Sequence, residues 1–290
     1  MDAPRLIAVM GPTASGKSSL AETISQDLDA VIINADAFQI YRGLDIGTSK
    51  TKDATRYRLI DVRDPDEDFG VGEYVVLAAN LLHQLFEEGR SVVICGGTGL
   101  YIRALLEEYK DLMPAPSAQL RKQLSLIALE EAVERLLDLS NGAELAVDLK
   151  NEVRVKRMLE KLMAGEQPIH FTIPPFRVQK VAIIPSIEIS QQKIKQRTEK
   201  MFQNGWVAEV KGLLSNGYGP GNPGFRALGY EAIAEYIQNA GNEEVLKERI
   251  KSDTVQYAKR QRTWLRAEPN LYVYSETSDA LEAIKLSAFG

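Results

Sequence analysis

The sequence has a single cysteine, Cys95, so neither an internal disulfide nor a cysteine-rich zinc site is available to it. Inside the apolar run Ser91–Cys95, that thiol reads as a small buried hydrophobe. No stretch approaches the roughly 18 consecutive apolar residues that span a bilayer. Met1-Asp2-Ala3-Pro4-Arg5 leads into a strand without a signal-peptide pattern, and a cytoplasmic protein is expected. Internal repeats and low-complexity segments are also missing. A global excess of positive charge is absent too: the net charge of -5 argues against attraction of nucleic acid by the whole molecule. The balance is uneven, however. Residues 1–110 carry 11 basic and 17 acidic side chains, whereas 247–266 carry seven basic against two acidic, which leaves a local basic face open.

At 290 residues the chain is long enough for one large domain or for a core with a smaller lobe. Leu6–Met10, Val31–Asn34 and Ser91–Cys95 read as buried strands, with a weaker third run at Leu59–Val62. Helical patterns over Lys17–Leu28 and Tyr74–Glu88 alternate with them, which predicts a parallel sheet with crossover helices. From Met113 the pattern changes. Pro114 and Pro116 lead into a charged helical stretch from Ala118 to about Leu139, a polar turn near Ser140-Asn141-Gly142, and a helix over Asn151–Ala164. This predicts an inserted helical lobe at 113–180, flanked by a core of 1–112 and 181–290. Val181–Ile184 returns as a strand, followed by helices at 190–204, 206–216, 228–239 and 243–266, a strand at Leu271–Tyr274 and a closing helix. Nothing in the pattern demands an oligomer, and a monomer is expected.

Gly11-Pro12-Thr13-Ala14-Ser15-Gly16-Lys17-Ser18 fits G-x-x-x-x-G-K-[ST] in full and stands between a strand and a helix, the context that the motif requires. Its glycines let successive backbone N–H groups and the helix N-terminus point at one anion. Lys17 neutralises outer phosphate oxygens, and the Ser18 hydroxyl is placed to ligate magnesium. In an open parallel sheet, ligands lie beyond the carboxyl ends of the strands. The loop at 11–18, Ala35–Tyr41 and Gly96–Tyr101 all belong to that edge by their order in the chain. Asp36 is then a carboxylate close to phosphate, which fits a magnesium ligand or a proton acceptor; an N-cap or Asx-turn aspartate is the other reading. Gly96–Gly99 is either part of the site or a simple turn.

Seven blocks carry a family likeness. They are GPTASGKS at 11–18, NADAFQIYRGLDIGTSK at 34–50, LIDVRDPDEDFGVGEY at 59–74, GGTGLYIRALL at 96–106, NEVRVKRMLE at 151–160, FRALGYEAI at 225–233 and TVQYAKRQRTWLR at 254–266. In these the chain resembles the bacterial tRNA dimethylallyltransferases (tRNA isopentenyltransferases), nearly from end to end. The resemblance implies an α/β fold, a P-loop nucleoside-triphosphatase-like parallel sheet flanked by helices, with an inserted small helical domain. It also implies Mg2+, and transfer of a dimethylallyl group from dimethylallyl diphosphate to the exocyclic amine of the adenosine 3′ to the anticodon. Pyrophosphate leaves and no phosphoryl group moves.

By position, Asp36 matches the family's catalytic aspartate and Thr13 lies near the bridging oxygen. Arg226 matches an arginine assigned to the diphosphate as a second clamp. Gln39 and Thr98 match positions at the target adenosine, and Arg121 one near the RNA entry. Arg154 and Arg157 are either grips on donor or tRNA phosphates or solvated arginines. Lys259, Arg262 and Arg266 match a segment read as contacting the tRNA backbone. The apolar stripe Leu246, Ile250, Tyr257 and Trp264 on the same helix reads as core. The chain departs from the family pattern at Ala37 (usually serine), Tyr57-Arg58 (usually two histidines), Glu152, Met158 and Ser190 (usually aspartate, alanine and arginine), and in a short lobe. Three alternatives share the loop. An ATP-binding small-molecule kinase has no use for 254–266, a nucleotide-gated RNA-binding protein has none for Asp36, and an adenylate prenyltransferase takes free nucleotides.

Overall fold

The computed structural model describes residues 4–110, 112–113, 118–140, 145, 147–165, 167–239 and 241–288. Pro114, Pro116, Asn141 and Gly142, used above to delimit the lobe, lie outside them. The chain opens with β1 (Arg5–Met10), α1 (Lys17–Asp27), β2 (Val31–Asn34), β3 (Tyr57–Arg58), α2 (Val71–Glu87), β4 (Val92–Gly96) and α3 (Gly99–Leu106). The lobe contributes α4 (Ala118–Ser125), α5 (Leu129–Ser140) and α6 (Glu152–Ala164). The chain then returns as β5 (Arg177–Ile183), α7 (Ile187–Gln203), α8 (Trp206–Ser215), a 3-10 turn at Pro223–Arg226, α9 (Tyr230–Asn239), α10 (Glu243–Arg266), β6 (Leu271–Tyr274) and α11 (Thr277–Ala288).

The sheet runs in the order β3-β2-β4-β1-β5-β6 and every described pairing is parallel. The central strands β1, β2 and β4 are covered on both faces and almost wholly apolar, and the period of two sorts their residues by face. Leu6, Ala8, Met10, Ile33, Ile94 and Ala182 join a core with α2 and α3. Ile7, Val9, Ile32, Val93, Val181 and Ile183 join one with α1 and α11, and Cys95 lies on that face as a buried thiol. A third core fills the helical region α7 to α10, around Trp206, Phe225, Tyr230 and Ile250. The lobe has its own small core of Leu124, Ala132, Leu136, Val155 and Leu159. Among the described residues no helix is long and apolar enough to cross a membrane.

Three expectations need correction. The third strand is Tyr57–Arg58 rather than Leu59–Val62, because Leu59 and Asp61 adopt left-handed φ values of 62° and 54° that no strand accommodates. The helix expected from Ala118 to Leu139 is two helices, and at the break the Ser125 hydroxyl donates to the Lys122 carbonyl, a side-chain bond that competes with the helical ladder. Residues 177–180, expected in the lobe, are the first half of β5 and pair with β1.

Candidate active site

β1 stops at Met10 and the chain turns sharply. A Cβ on Gly11 would lie 2.5 Å from Ser15 Oγ and 2.8 Å from the Ile183 carbonyl oxygen, so only hydrogen fits there. Ala14 (φ 61°) and Gly16 (φ 98°) are both left-handed, and curl the loop into the form in which successive amides converge on an anion. Ala14 in that region costs on the order of 1 kcal/mol, strain of a kind found at ligand sites. Helix α1 starts at Lys17 after Gly16, which has no side chain to cap it; the Lys17 N–H makes a long bond of 3.4 Å to Ser15 Oγ, and the amides that follow face no capping side chain.

Thr13 is held from two sides. Its N–H donates to Gln261 Oε1 at 2.8 Å, and its hydroxyl oxygen accepts from Arg197 Nη1 at 2.9 Å. Because that oxygen already accepts, the threonine's own O–H is directed elsewhere, and a cationic donor on it strengthens it as a donor. Gln261 also donates to the Gly97 carbonyl at 3.0 Å and so ties the 11–18 loop to the 96–99 loop. Thr98 Oγ1 accepts from the Ala37 N–H at 3.0 Å and ties that loop to the chain after β2. The three segments of the sheet edge are thus stitched together by side chains.

Asp36 follows β2 directly. One carboxylate oxygen accepts from the Phe38 N–H at 3.0 Å, and its own N–H donates to Asn34 Oδ1 at 3.2 Å, so the Asx-turn reading describes its backbone. Its other oxygen has no hydrogen-bond partner among the described residues. Burial lowers the pKa of Lys17 below 10.5 and Arg197 lowers it further, countered by the Asp36 carboxylate. Burial also lowers that of Arg197, countered by Asp36. Two half-buried cations therefore share the site with one carboxylate, an arrangement that an incoming anion relieves.

Thr13, Lys17, Asp36, Arg197 and Gln261 line one cleft of about 600 Å³; Thr98, expected at the target base, is not among its lining residues. Thr13, Lys17 and Ser18 enter it from the loop, Asp36 and Gln39 from the chain after β2, Arg197 from α7, Arg226 from the 3-10 turn, and Asp253, Tyr257 and Arg260 from α10. Burial pushes the Tyr257 hydroxyl up to about 12, with Asp36 adding to the shift, and Arg260 stacks over its ring at 5.7 Å. Of the helix's predicted core stripe, Leu246 and Ile250 are buried, while Tyr257 turns to the cleft.

Other site candidates lie outside the cleft. Arg121 is bonded to Asp68 and lies 3.8 Å from Glu160, so it clasps the lobe to the core; Arg157 donates to Glu160 at 2.8 Å, and Arg154 is exposed on the lobe. Lys259 is exposed on α10. Arg262 is anchored through Nη2, which faces the Pro185 and Ser186 carbonyls and Ser190 Oγ and fastens α10 to the start of α7. The serine at 190 supplies one of those acceptors. Arg226, the expected clamp, lines the cleft from an exposed position, and Arg197 joins it there through a bond to Thr13.

Arg197 and Gln261 were missed in the sequence. The signal was there: Arg197 sits beside the buried residues Ile194, Thr198 and Met201 of α7, and Gln261 lies on the inward face of α10 with Ala258 and Leu265. A polar side chain on an inward helix face needs a partner.

The cradle makes a prediction about pH. Inorganic pyrophosphate at about 100 times its Kd should add about 2.7 kcal/mol to stability, read as a rise in Tm. Because Lys17's folded pKa is lowered, the ligand-free protein gains stability as pH rises through that pKa towards 10.5, while the bound anion needs the protonated amine. The pyrophosphate-induced rise in Tm should therefore shrink over that window, and should not shrink in Lys17→Arg, whose guanidinium stays charged. Equal behaviour of the two proteins would remove Lys17 from the cradle.

The model of the family described as IPP transferase matches residues 39–268. The tRNA dimethylallyltransferase of Geobacter sulfurreducens is 31% identical over 99% of this chain and 97% of its own. Among solved structures, the tRNA isopentenylpyrophosphate transferase of Bacillus halodurans superposes with a TM-score of 0.72 at 26% identity, covering 99% of this chain and 96% of that one. A eukaryotic dimethylallyltransferase acting on tRNA has a similar fold, with a TM-score of 0.68 at 21% identity over 90% of this chain and 70% of that chain.

Proposed function

The chain belongs to the IPP transferase family and is a tRNA dimethylallyltransferase, and from that premise we propose how its cleft performs the transfer. The acceptor is the exocyclic amine of the adenosine 3′ to the anticodon, and the donor is dimethylallyl diphosphate. One observation carries this reading: a phosphate cradle lines the same cavity as Asp36, one of whose carboxylate oxygens has no partner among the described residues. An unpaired anticodon-loop base leaves its stack at low cost, and so reaches such a cavity.

The adenine amine is a weak nucleophile, since its lone pair is delocalised into the ring. Held in line with the allylic C1, it forms the new N–C bond as the bond from C1 to the bridging oxygen breaks. The amine's proton passes to Asp36, and the electron pair of the broken bond leaves on pyrophosphate. The loop amides, Lys17, and Thr13 with its proton aimed away from Arg197 receive that charge. They stabilise it more in the transition state than in bound donor, which is what accelerates the step.

Ser18 fits a magnesium ion poorly as a sole ligand but suitably as one of a few. Among the described residues no group of three or more His, Cys, Asp or Glu is placed to hold a metal. Magnesium commonly takes one or two protein ligands and completes its shell from phosphates and water. Ser18, with Glu22 lining the same cleft, suits that partition and leaves the Asp36 oxygen for the proton. When bound, the ion would supply charge neutralisation on the diphosphate.

The reaction is tested by tracing label. With tRNA present, label from the prenyl carbons of dimethylallyl diphosphate should enter RNA, while the γ-phosphate of ATP should not and AMP should not compete as acceptor. Phosphate label in product would make this a kinase; prenyl label in AMP alone would make it an adenylate prenyltransferase. We place the enzyme in the cytoplasm as a monomer, with Lys259 and the lobe's Arg154 on tRNA phosphates. Affinity for an anticodon stem-loop should then fall steeply with salt, and Lys259→Ala should lessen the log–log slope by about 0.7 to 0.9. An unchanged slope would overturn that contact.

A further inference from the structure

Gly47, Thr48, Ser49 and Thr51 form a wall of the cleft that the chemistry above does not use. Behind it stands Glu209 of α8. Its carboxylate accepts the N–H of Ile46 at 2.6 Å, of Asp45 at 3.1 Å and of Gly47 at 3.4 Å, and the Tyr230 hydroxyl at 2.6 Å. Three successive amides turned onto one carboxylate make an anion nest, here filled by the protein's own side chain. The loop is pressed hard on its support: a Cβ on Gly47 would lie 2.2 Å from Trp206 Nε1 and 2.5 Å from the Tyr230 ring.

The other side of the loop meets the site. Gln39 Nε2 donates to the Thr48 carbonyl at 3.0 Å and lies 3.5 Å from that of Ser49. Two carbonyls can be faced only by the nitrogen end of an amide, so the orientation of Gln39 is fixed by chemistry. Its Oε1 has no partner among the described residues, and Gln39 lines the cleft three residues after Asp36. The cleft thus offers two acceptors, the free Asp36 oxygen and Gln39 Oε1, and the second depends on the loop.

We propose that Glu209 is a positioning residue for the acceptor base: by pinning residues 45–47 it keeps the Thr48 and Ser49 carbonyls on Gln39, which then presents only its oxygen to the cleft. An exocyclic amine has two N–H bonds, one for each acceptor, whereas a base with a carbonyl at that place meets lone pairs on both. The proposal rests on the prenyl-transfer reading.

Glu209→Gln nearly conserves shape but puts an amide among the backbone donors. It should raise KM for an anticodon stem-loop about tenfold or more, with kcat within about threefold of the parent. The Kd for inorganic pyrophosphate should stay within about twofold. Because Glu209 acts through Gln39, the double variant Glu209→Gln, Gln39→Ala should be no worse than Gln39→Ala alone. An unchanged KM, or effects that multiply, would overturn the proposal. If Glu209→Gln does not fold, Tyr230→Phe, which removes one donor from the carboxylate and keeps the ring, should shift KM in the same direction, and no shift there overturns it equally. A parent enzyme that binds pyrophosphate but transfers no prenyl group to RNA would instead sink the reaction reading, and this proposal with it.

Discussion

Asp36→Asn should lower kcat for prenyl transfer about 10²- to 10⁴-fold, the range that general-base catalysis commonly supplies. Folding should be spared for a stated reason. The asparagine carbonyl still accepts the Phe38 N–H, and the backbone bond to Asn34 does not involve the side chain. What is lost is a charged oxygen able to take a proton. Removing the carboxylate also removes a charge that holds up the pKa of both Lys17 and Arg197, and it relieves repulsion of the diphosphate. Pyrophosphate binding should therefore stay equal or tighten while turnover collapses. Stopped-flow or quench measurements at saturating donor and RNA separate the two. Near-normal turnover in a folded variant would take the proton-accepting role away from Asp36.

The second large effect belongs to Arg197. Deleting one donor that stabilises a developing oxyanion typically costs 10² to 10³ in kcat, about 2.7–4 kcal/mol. Arg197 acts on Thr13, whose hydroxyl oxygen it occupies, and its charge is felt at Lys17. Arg197→Ala should lose kcat on that scale. Arg197→Lys should recover only part of it, since a guanidinium and an ammonium differ in reach and geometry. Arg226→Ala should fall short of both, because Arg226 lies on the exposed rim of the cleft towards Tyr41. A reversed order, with Arg226 the costlier loss, would restore it as the diphosphate clamp.

Much of this site was legible in the chain because its parts are local. The 11–18 loop carries its own geometry in two glycines and a lysine, and β1, which delivers it, is an unbroken apolar run from Leu6 to Met10. Asp36 was found because chain order alone puts the end of β2 on the same sheet edge. Arg197 and Gln261 were not found because their partners are distant in sequence. Each bonds to Thr13, 184 and 248 residues away, and helix periodicity marks only the face on which they lie. Arg262 shows the converse. It belongs to a basic run that reads as a contact surface, but its Nη2 is bonded to the start of α7. The false third strand has a similar cause: Leu59–Val62 has strand composition, but the backbone turns left-handed twice within it.

The most direct measurement is a structure of the protein with an anticodon stem-loop and a non-reacting thio analogue of the donor. The diphosphate should lie in the 11–18 loop against Lys17, with the target amine about 2.6–3.2 Å from Asp36 and facing C1 of the allyl group. A diphosphate bound away from that loop, or a base whose amine points away from Asp36, would contradict the account.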